Sequence, residues 1–306
     1  MTRLAYFCGD PNGVGPELSA KLLQRPEVRA ADLRIFGDAR LLPPGTEHEA
    51  VPGLAAEALT PGRANPLAGR WVVEALTRMA RAAHAGEVAG IVFAPLNKQA
   101  MKLGGLPYSD EQHLFAALLE AKGYSVEFNV IDNLWTSRVT SHIALRDVAG
   151  AITTSGVLDA IRIIDAALRR GGRARPRVAV AGLNPHAGEG GTMGDEEVRV
   201  IAPAIEQARR AGIDAKGPFP ADTVFVAAKR GDFDAVVTMY HDQGQIAMKL
   251  MGFDRGVTVL GGLPVPIATC AHGTAYDIVG QDRANQVPLF NAFDLALRMA
   301  SSRATS

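Results

Sequence analysis

Two periods of hydrophobic patterning alternate along the chain. Short apolar, often β-branched runs occur at Leu4 to Cys8, Asp32 to Gly37, Gly90 to Ala94, Val126 to Ile131, Val178 to Ala181, Val236 to Met239, Gly256 to Leu260 and Val265 to Cys270. Runs of this length bounded by turn formers read as strands buried on both faces. Between them apolar residues recur at helical spacing. Leu18, Leu22 and Leu23 mark a first helix, and Pro66 to Ala85 carries Trp71, Val72, Ala75, Leu76 and Met79 on one face. Leu114 to Ala121, Val157 to Leu168, Asp195 to about Ala211, and Pro288 to Ala300 come after them. Gly171-Gly172 stops the helix that starts at Val157, and three acids suit the first turn of the one that starts at Asp195. Gly217 to Thr223 reads as a rigid loop with Asp222 as the N-cap of the next helix. Residues 41–65, rich in Pro, Gly and Ala, predict no element. Strands alternating with helices argue an α/β protein with a largely parallel sheet. Without an internal repeat, a low-complexity block or a linker, residues 1–306 read as one unit.

Open α/β sheets bind ligands at the C-terminal ends of their strands. Three extended runs here lead to histidines beside turn residues: His142, His186 and His241. Neutral imidazoles with open positions suit a divalent ion that must also hold substrate oxygens. On the residues alone, this reading and hydrogen-bonded structural histidines both stand. Asp242 and Asp222 are candidates for orienting a ligand or moving a proton. Lys98, just beyond the Gly90 to Ala94 run, and Lys249 could bind an anion or supply a proton. Glycines 9, 13 and 15 come after the first strand, but their spacing fits neither G-x-G-x-x-G nor a P-loop. H-E-x-x-H and G-x-S-x-G are absent, which excludes a helical zinc protease and a serine-hydrolase elbow. Metal-assisted oxidation with decarboxylation, metal-assisted hydrolysis and a catalytically silent binding protein remain as readings.

Charge narrows the partners. The 32 basic and 32 acidic residues cancel, so nothing draws the chain to nucleic acid or to a membrane surface. Its two cysteines, Cys8 and Cys270, form no metal or disulfide spacing and read as buried thiols. The first residues lack a signal-peptide core, and no apolar stretch reaches the ~18 residues of a membrane span. The expectation is a cytoplasmic protein.

Several segments together resemble the PdxA family, the 4-hydroxythreonine-4-phosphate dehydrogenases. They are Gly9-Asp10-Pro11-Asn12-Gly13-Val14-Gly15-Pro16-Glu17, Ala94-Pro95-Leu96-Asn97-Lys98, Asn184-Pro185-His186-Ala187-Gly188-Glu189-Gly190-Gly191, Pro220-Ala221-Asp222-Thr223, Tyr240-His241-Asp242-Gln243-Gly244 and His272-Gly273-Thr274-Ala275. The resemblance implies an isocitrate/isopropylmalate-dehydrogenase-like α/β fold of two lobes with a cleft between them. It implies oxidation of a hydroxyl β to a carboxylate by NAD or NADP, with subsequent loss of carbon dioxide and with a divalent cation (Zn, Mg, Mn or Co). It further implies a homodimer with a shared active site. The family's metal ligands fall on His142, His186 and His241, and its substrate lysine on Lys249. Asn184 and Arg255 are candidates to hold the cofactor.

The chain departs from the family at the anion-binding positions. Where the family usually carries Gly-His-Thr-Glu, this chain has Asp110-Glu111-Gln112-His113, so Glu111 and Gln112 replace two substrate contacts. Glu111 would repel a phosphate unless a cation intervenes. The family's substrate-binding Asn and Arg fall on Thr258 and Ile267. Such changes point to a different hydroxy acid, either a four-carbon sugar-acid phosphate or a carboxylated cis-dihydrodiol.

Overall fold

The computed structural model describes residues 2–302. The chain begins with β1 (Arg3–Phe7), α1 (Gly15–Leu23), α2 (Pro26–Arg29), β2 (Asp32–Gly37), β3 (Glu49–Ala50), α3 (Pro66–His84), β4 (Gly90–Phe93), α4 (Lys98–Leu103) and α5 (Glu111–Leu118). It continues with β5 (Val126–Ile131), β6 (Leu134–Arg138), α6 (Leu145–Ala151), α7 (Thr154–Arg170), β7 (Arg177–Ala181), α8 (Ala202–Arg210), β8 (Asp214–Phe219), α9 (Ala221–Lys229), β9 (Ala235–Thr238) and α10 (His241–Gly252). It closes with β10 (Val257–Gly261), β11 (Ile267–Cys270) and α11 (Val287–Ser301). Among the described residues two compact units result: 2–125 with 254–302, and 126–253.

In the first unit the strand order is β3-β2-β1-β4-β11-β10. All neighbours pair in parallel except β10 with β11. Order reverses between β1 and β4, the kind of switch point where α/β sheets open a ligand site. The loop after β1 and the turn after β4 meet there, with Asp10 N donating to Pro95 O at 2.9 Å. The Tyr6, Phe7, Ile91, Val92 and Phe93 side chains are buried, as strands covered on both faces require. Helix α3 buries Trp71, Val72, Ala75, Leu76 and Met79, the face that the periodicity predicts. Each large apolar side chain on that face contributes roughly 1.5–3 kcal/mol on burial. Trp71 also donates its indole N–H to Val51 O at 2.9 Å, tying the segment before α3 to it. Asn12 pins the same segment, its amide donating to Ala58 O and its oxygen accepting from Thr60 N. Cys8 and Cys270 are buried free thiols, and burial pushes both up to about 12.

In the second unit the order is β5-β6-β9-β7-β8, parallel except for β5 with β6. The sheet is therefore mixed, not wholly parallel. Helix α7 packs Val157, Ile161, Ile164 and Leu168 inward. Two readings of the sequence change here. Residues 214–219 form an edge strand, where prolines are tolerated because no ladder N–H is needed on the open side. Asp222 does not cap α9: Pro220 occupies the cap position and Asp222 sits in the first turn, where its charge favours the helix dipole. Among the described residues no helix is long and apolar enough to cross a membrane.

Candidate active site

Because β6, β9 and β7 run parallel and side by side, their C-terminal ends share one edge of the second unit. Each delivers one histidine segment. Val139 N and Thr140 N extend the β6 ladder, donating to Thr238 O at 2.9 Å and Met239 O at 3.1 Å. They carry His142 alongside the segment that ends in His241. The His142 and His241 rings lie 5.5 Å apart, centroid to centroid, inclined by 46°. His241 opens α10, and its Nδ1 is 2.6 Å from Asp242 Oδ1. A carboxylate accepts there, so Nδ1 carries a proton, and in the neutral ring Nε2 keeps its lone pair for another partner.

His186 sits differently. β7 ends at Ala181, and residues His186, Ala187, Gly188, Glu189 and Gly190 all have positive φ, from 43° to 74°. This left-handed turn, not an extended run, presents the His186 ring to solvent. The turn is held from beneath by Glu197, which is 2 % exposed. Its Oε1 accepts from Leu183 N and Asn184 N, both at 2.7 Å, and its Oε2 accepts from Asn184 Nδ2 at 2.9 Å. Asn184 Nδ2 also donates to Glu196 Oε2 at 2.7 Å. That amide thus anchors the turn, and a backbone N–H, followed by this bond from Asn184, holds the Glu196 carboxyl below its usual range. In the sequence Glu197 reads as a helix-dipole acid; its real partner is the histidine turn. The only trace of this in the sequence is a carboxylate eleven residues after a histidine in a glycine-rich loop, which no local rule singles out.

Among the described residues no three His, Cys, Asp or Glu side chains gather closely enough to hold a metal ion. The chemistry of the donor set nonetheless fits a divalent cation. Two imidazole rings lie 5.5 Å apart, one already oriented by a carboxylate, and a third stands on a neighbouring connection. Lys249 lies farther along α10, exposed, with its ammonium 5.6 Å from the Phe253 ring centre. Asp222 is exposed in the first turn of α9.

The remaining site candidates belong to the first unit. Asn97 caps α4, accepting from Ala100 N at 2.7 Å, and so sets Lys98 in the first turn. Asp110 caps α5 and accepts from His113 N and Nδ1. Burial raises the Asp110 carboxyl, but these bonds outweigh it and leave it below the usual range. The next residue, Glu111, is 6 % exposed, and its Oε1 lies 3.3 Å from Lys98 Nζ. The cation that the sequence requires beside Glu111 is thus present. Gln112 is buried and donates to Ser125 Oγ at 3.0 Å. Thr258 is half-buried opposite Thr269. Ile267 has no exposed surface and pairs with Ile91, so it acts as a core residue. Arg255 lies beside Asp254, and its carbonyl accepts from Asn291. Two further contacts involve Asp10 and His272, which lie in the Gly9 to Glu17 and His272 to Ala275 segments without a role assigned to either. Tyr276 donates to Asp10 Oδ2 at 2.5 Å, and burial raises the Asp10 carboxyl. His272 lies with Nδ1 on Gly273 O at 3.0 Å and leaves Nε2 buried without a hydrogen-bond partner.

The model of the family described as pyridoxal phosphate biosynthetic protein PdxA matches residues 17–296. A putative 4-hydroxythreonine-4-phosphate dehydrogenase 2 from Pseudomonas aeruginosa is 47% identical over 99% of this chain and 98% of its own. The D-threonate 4-phosphate dehydrogenase of Salmonella typhimurium is 38% identical over 97% of this chain and 98% of its own. The crystal structure of 4-hydroxythreonine-4-phosphate dehydrogenase from Klebsiella pneumoniae superposes with a TM-score of 0.83 at 33% identity, covering 98% of this chain and all of that one. Dehydrogenases of this kind use a nicotinamide cofactor and a divalent metal. With a family model spanning nearly its whole length and relatives matched end to end, the chain belongs to the PdxA family of dehydrogenases.

Proposed function

We propose that the protein oxidises a four-carbon hydroxy acid bearing a 4-phosphate, of the D-threonate 4-phosphate or 4-hydroxythreonine-4-phosphate type, with NAD or NADP as oxidant and loss of carbon dioxide. The observation that carries this reading is the pairing of His142 and His241 at 5.5 Å, with Asp242 bonded to Nδ1 of His241. His142, His241 and His186 would hold a divalent cation such as Zn, Mg, Mn or Co. A cation bound there supplies Lewis acidity, easing loss of the hydroxyl proton and stabilising charge on the substrate oxygens as carbon dioxide leaves. Asp242 fixes the His241 tautomer, which assigns its carboxylate to orienting rather than to proton abstraction. Lys249, exposed, is the cation for an anionic substrate group. Lys98 neutralises Glu111, so this carboxylate does not confront a phosphate as a bare charge. His272, whose Nε2 is buried without a hydrogen-bond partner, is a further candidate cofactor contact within the first unit.

A homodimer is part of the same reading. The segments that carry the histidine pair also expose Ile143, Leu145, Ile246 and Leu250, the last at 84 %. Apolar surface of this kind is what a second copy would cover. The test is NAD(P)H formation with D-threonate 4-phosphate, 4-hydroxythreonine-4-phosphate and a cis-dihydrodiol carboxylate, with and without a chelator. Turnover of a phosphorylated acid that the chelator abolishes supports the proposal. Turnover of the dihydrodiol alone, or activity indifferent to chelation, overturns it.

A further inference from the structure

We propose that Gln243 is a positioning residue that sets the three histidine segments of the second unit in register; the proposal rests on the metal reading above. Gln243 comes directly after the His-Asp pair in sequence, yet its side chain bonds to neither. Its Oε1 accepts from Met239 N at 2.7 Å, and its Nε2 donates to Gly182 O at 2.8 Å. It thus bridges the ends of β9 and β7, where the strand ladder has stopped at Val180 and Val237. Met239 is the shared node. Its N–H goes to Gln243, and its carbonyl accepts from Thr140 N and from Thr140 Oγ1 at 2.8 Å. One residue therefore ties the His142 segment on one side and, through Gln243, the His186 connection on the other.

The bridge demands an amide. It must accept at one end and donate at the other, and it must span two connections. A carboxylate offers two acceptors, and an aliphatic side chain offers neither group. Gly244 lets the helix come in close, since a Cβ there would stand 3.1 Å from Thr238 Oγ1. Beyond Gly182 the chain enters the left-handed turn. The non-glycine residues His186, Ala187 and Glu189 each bear the steric cost of a left-handed conformation there. Such a turn persists only where its surroundings over-determine it. Glu197 holds Leu183 and Asn184, while Gln243 holds Gly182 immediately before them. The two together fix both the entry of the turn and its distance from His241.

The test uses the full chain stripped of metal, with Gln243→Glu and Gln243→Met. Gln243→Glu keeps an acceptor for Met239 N and sets a second acceptor against Gly182 O. Gln243→Met preserves bulk and loses both bonds; if it does not fold, Gln243→Glu carries the test. Amide hydrogen exchange should quicken at residues 182–191 and stay unchanged at 139–142 in Gln243→Glu. Mn2+ affinity by titration calorimetry should fall about 10–100-fold, as for other partners that orient ligands. Unchanged exchange at 182–191, or wild-type Mn2+ affinity, overturns the role of Gln243. His186→Ala separates the two ideas. Wild-type Mn2+ affinity in that variant overturns the metal reading, while the exchange rates still judge the bridge.

Discussion

Asp242 accepts a hydrogen bond from Nδ1 of His241, its neighbour in sequence, at 2.6 Å. The contact sets which ring nitrogen keeps a lone pair. Asp242→Ala should therefore weaken binding of a divalent ion. The Asp242 side chain is 71 % exposed, so the loss belongs at the lower end of the usual range for such partners, about tenfold. Asp242→Asn should lose less, because an amide oxygen still accepts from Nδ1. Mn2+ titration of the stripped variants decides, and equal affinities for wild type and Asp242→Ala would show that the carboxylate does not orient the ring.

Asp234 supplies a pH-dependent contribution to stability away from the site. It is 5 % exposed and accepts from Arg177 N at 2.9 Å, Nε at 3.1 Å and Nη2 at 3.1 Å. Burial alone would raise its carboxyl, but the Arg177 bonds outweigh that and depress it. A depressed carboxyl stabilises the fold above its unfolded value, near about 3.9, and loses that contribution as pH falls through the lower folded value. Asp234→Asn should cost about 1–3 kcal/mol at neutral pH. The gap to wild type in urea unfolding should begin to close below about pH 4 and vanish in stronger acid. A gap that holds constant through the whole acid range refutes the account.

Of the strands that deliver the histidines, β7 and β9 are legible as short apolar runs with turn residues after them, whereas β6, in which Thr136 alone is β-branched, is not. Helix α3 is legible because nineteen residues repeat one apolar face. The connections beyond the strand ends are not. A left-handed turn through His186, Ala187 and Glu189 has no propensity signal, since those residue types rarely adopt it; it exists because Glu197 and Asn184 hold it. Asp222 reads as a cap because Asp commonly is one, but the nearby Pro220 already occupies that position. Residues 41–65 predict nothing, since their anchors are a distant Asn12 amide and the Trp71 indole. The approach of His142 to His241 depends on strand order, β6 beside β9, which periodicity cannot supply. Glu111 reads as repulsive only because its partner Lys98 lies on another helix.

Gly188 tests whether the turn matters to its histidine. Its φ is +74°, and a Cβ there would stand 2.6 Å from Glu197 Oε2 and 2.8 Å from Gly194 O. Gly188→Ala therefore adds steric pressure on the anchoring carboxylate to a left-handed penalty of about 1–2 kcal/mol. A lower unfolding temperature with weakened Mn2+ binding is expected. Gly190 has a similar φ of +69° with open space around it, so Gly190→Ala should carry the conformational penalty alone. Thermal unfolding of the pair decides: equal losses would mean that the Glu197 contact is not a constraint.

The Lys98 and Glu111 pair predicts opposite effects on a phosphorylated substrate. Glu111 is nearly buried, whereas Lys98 is 55 % exposed, so the carboxylate depends on the ammonium more than the reverse. Lys98→Met should destabilise by about 1–3 kcal/mol by leaving a buried charge less compensated. Glu111→Gln should cost less, and the double variant should recover part of the Lys98→Met loss, a coupling that urea unfolding of wild type and all three variants measures. For catalysis the sign reverses between partners. Glu111→Gln releases the positive charge of Lys98 and should lower KM for D-threonate 4-phosphate. Lys98→Met removes that charge and should raise it. Each change should stay within about fivefold, the worth of a half-exposed ion contact, and should shrink in high salt. Parallel shifts in both variants would mean that the pair only supports α4 and α5, and that its charge does not reach the substrate.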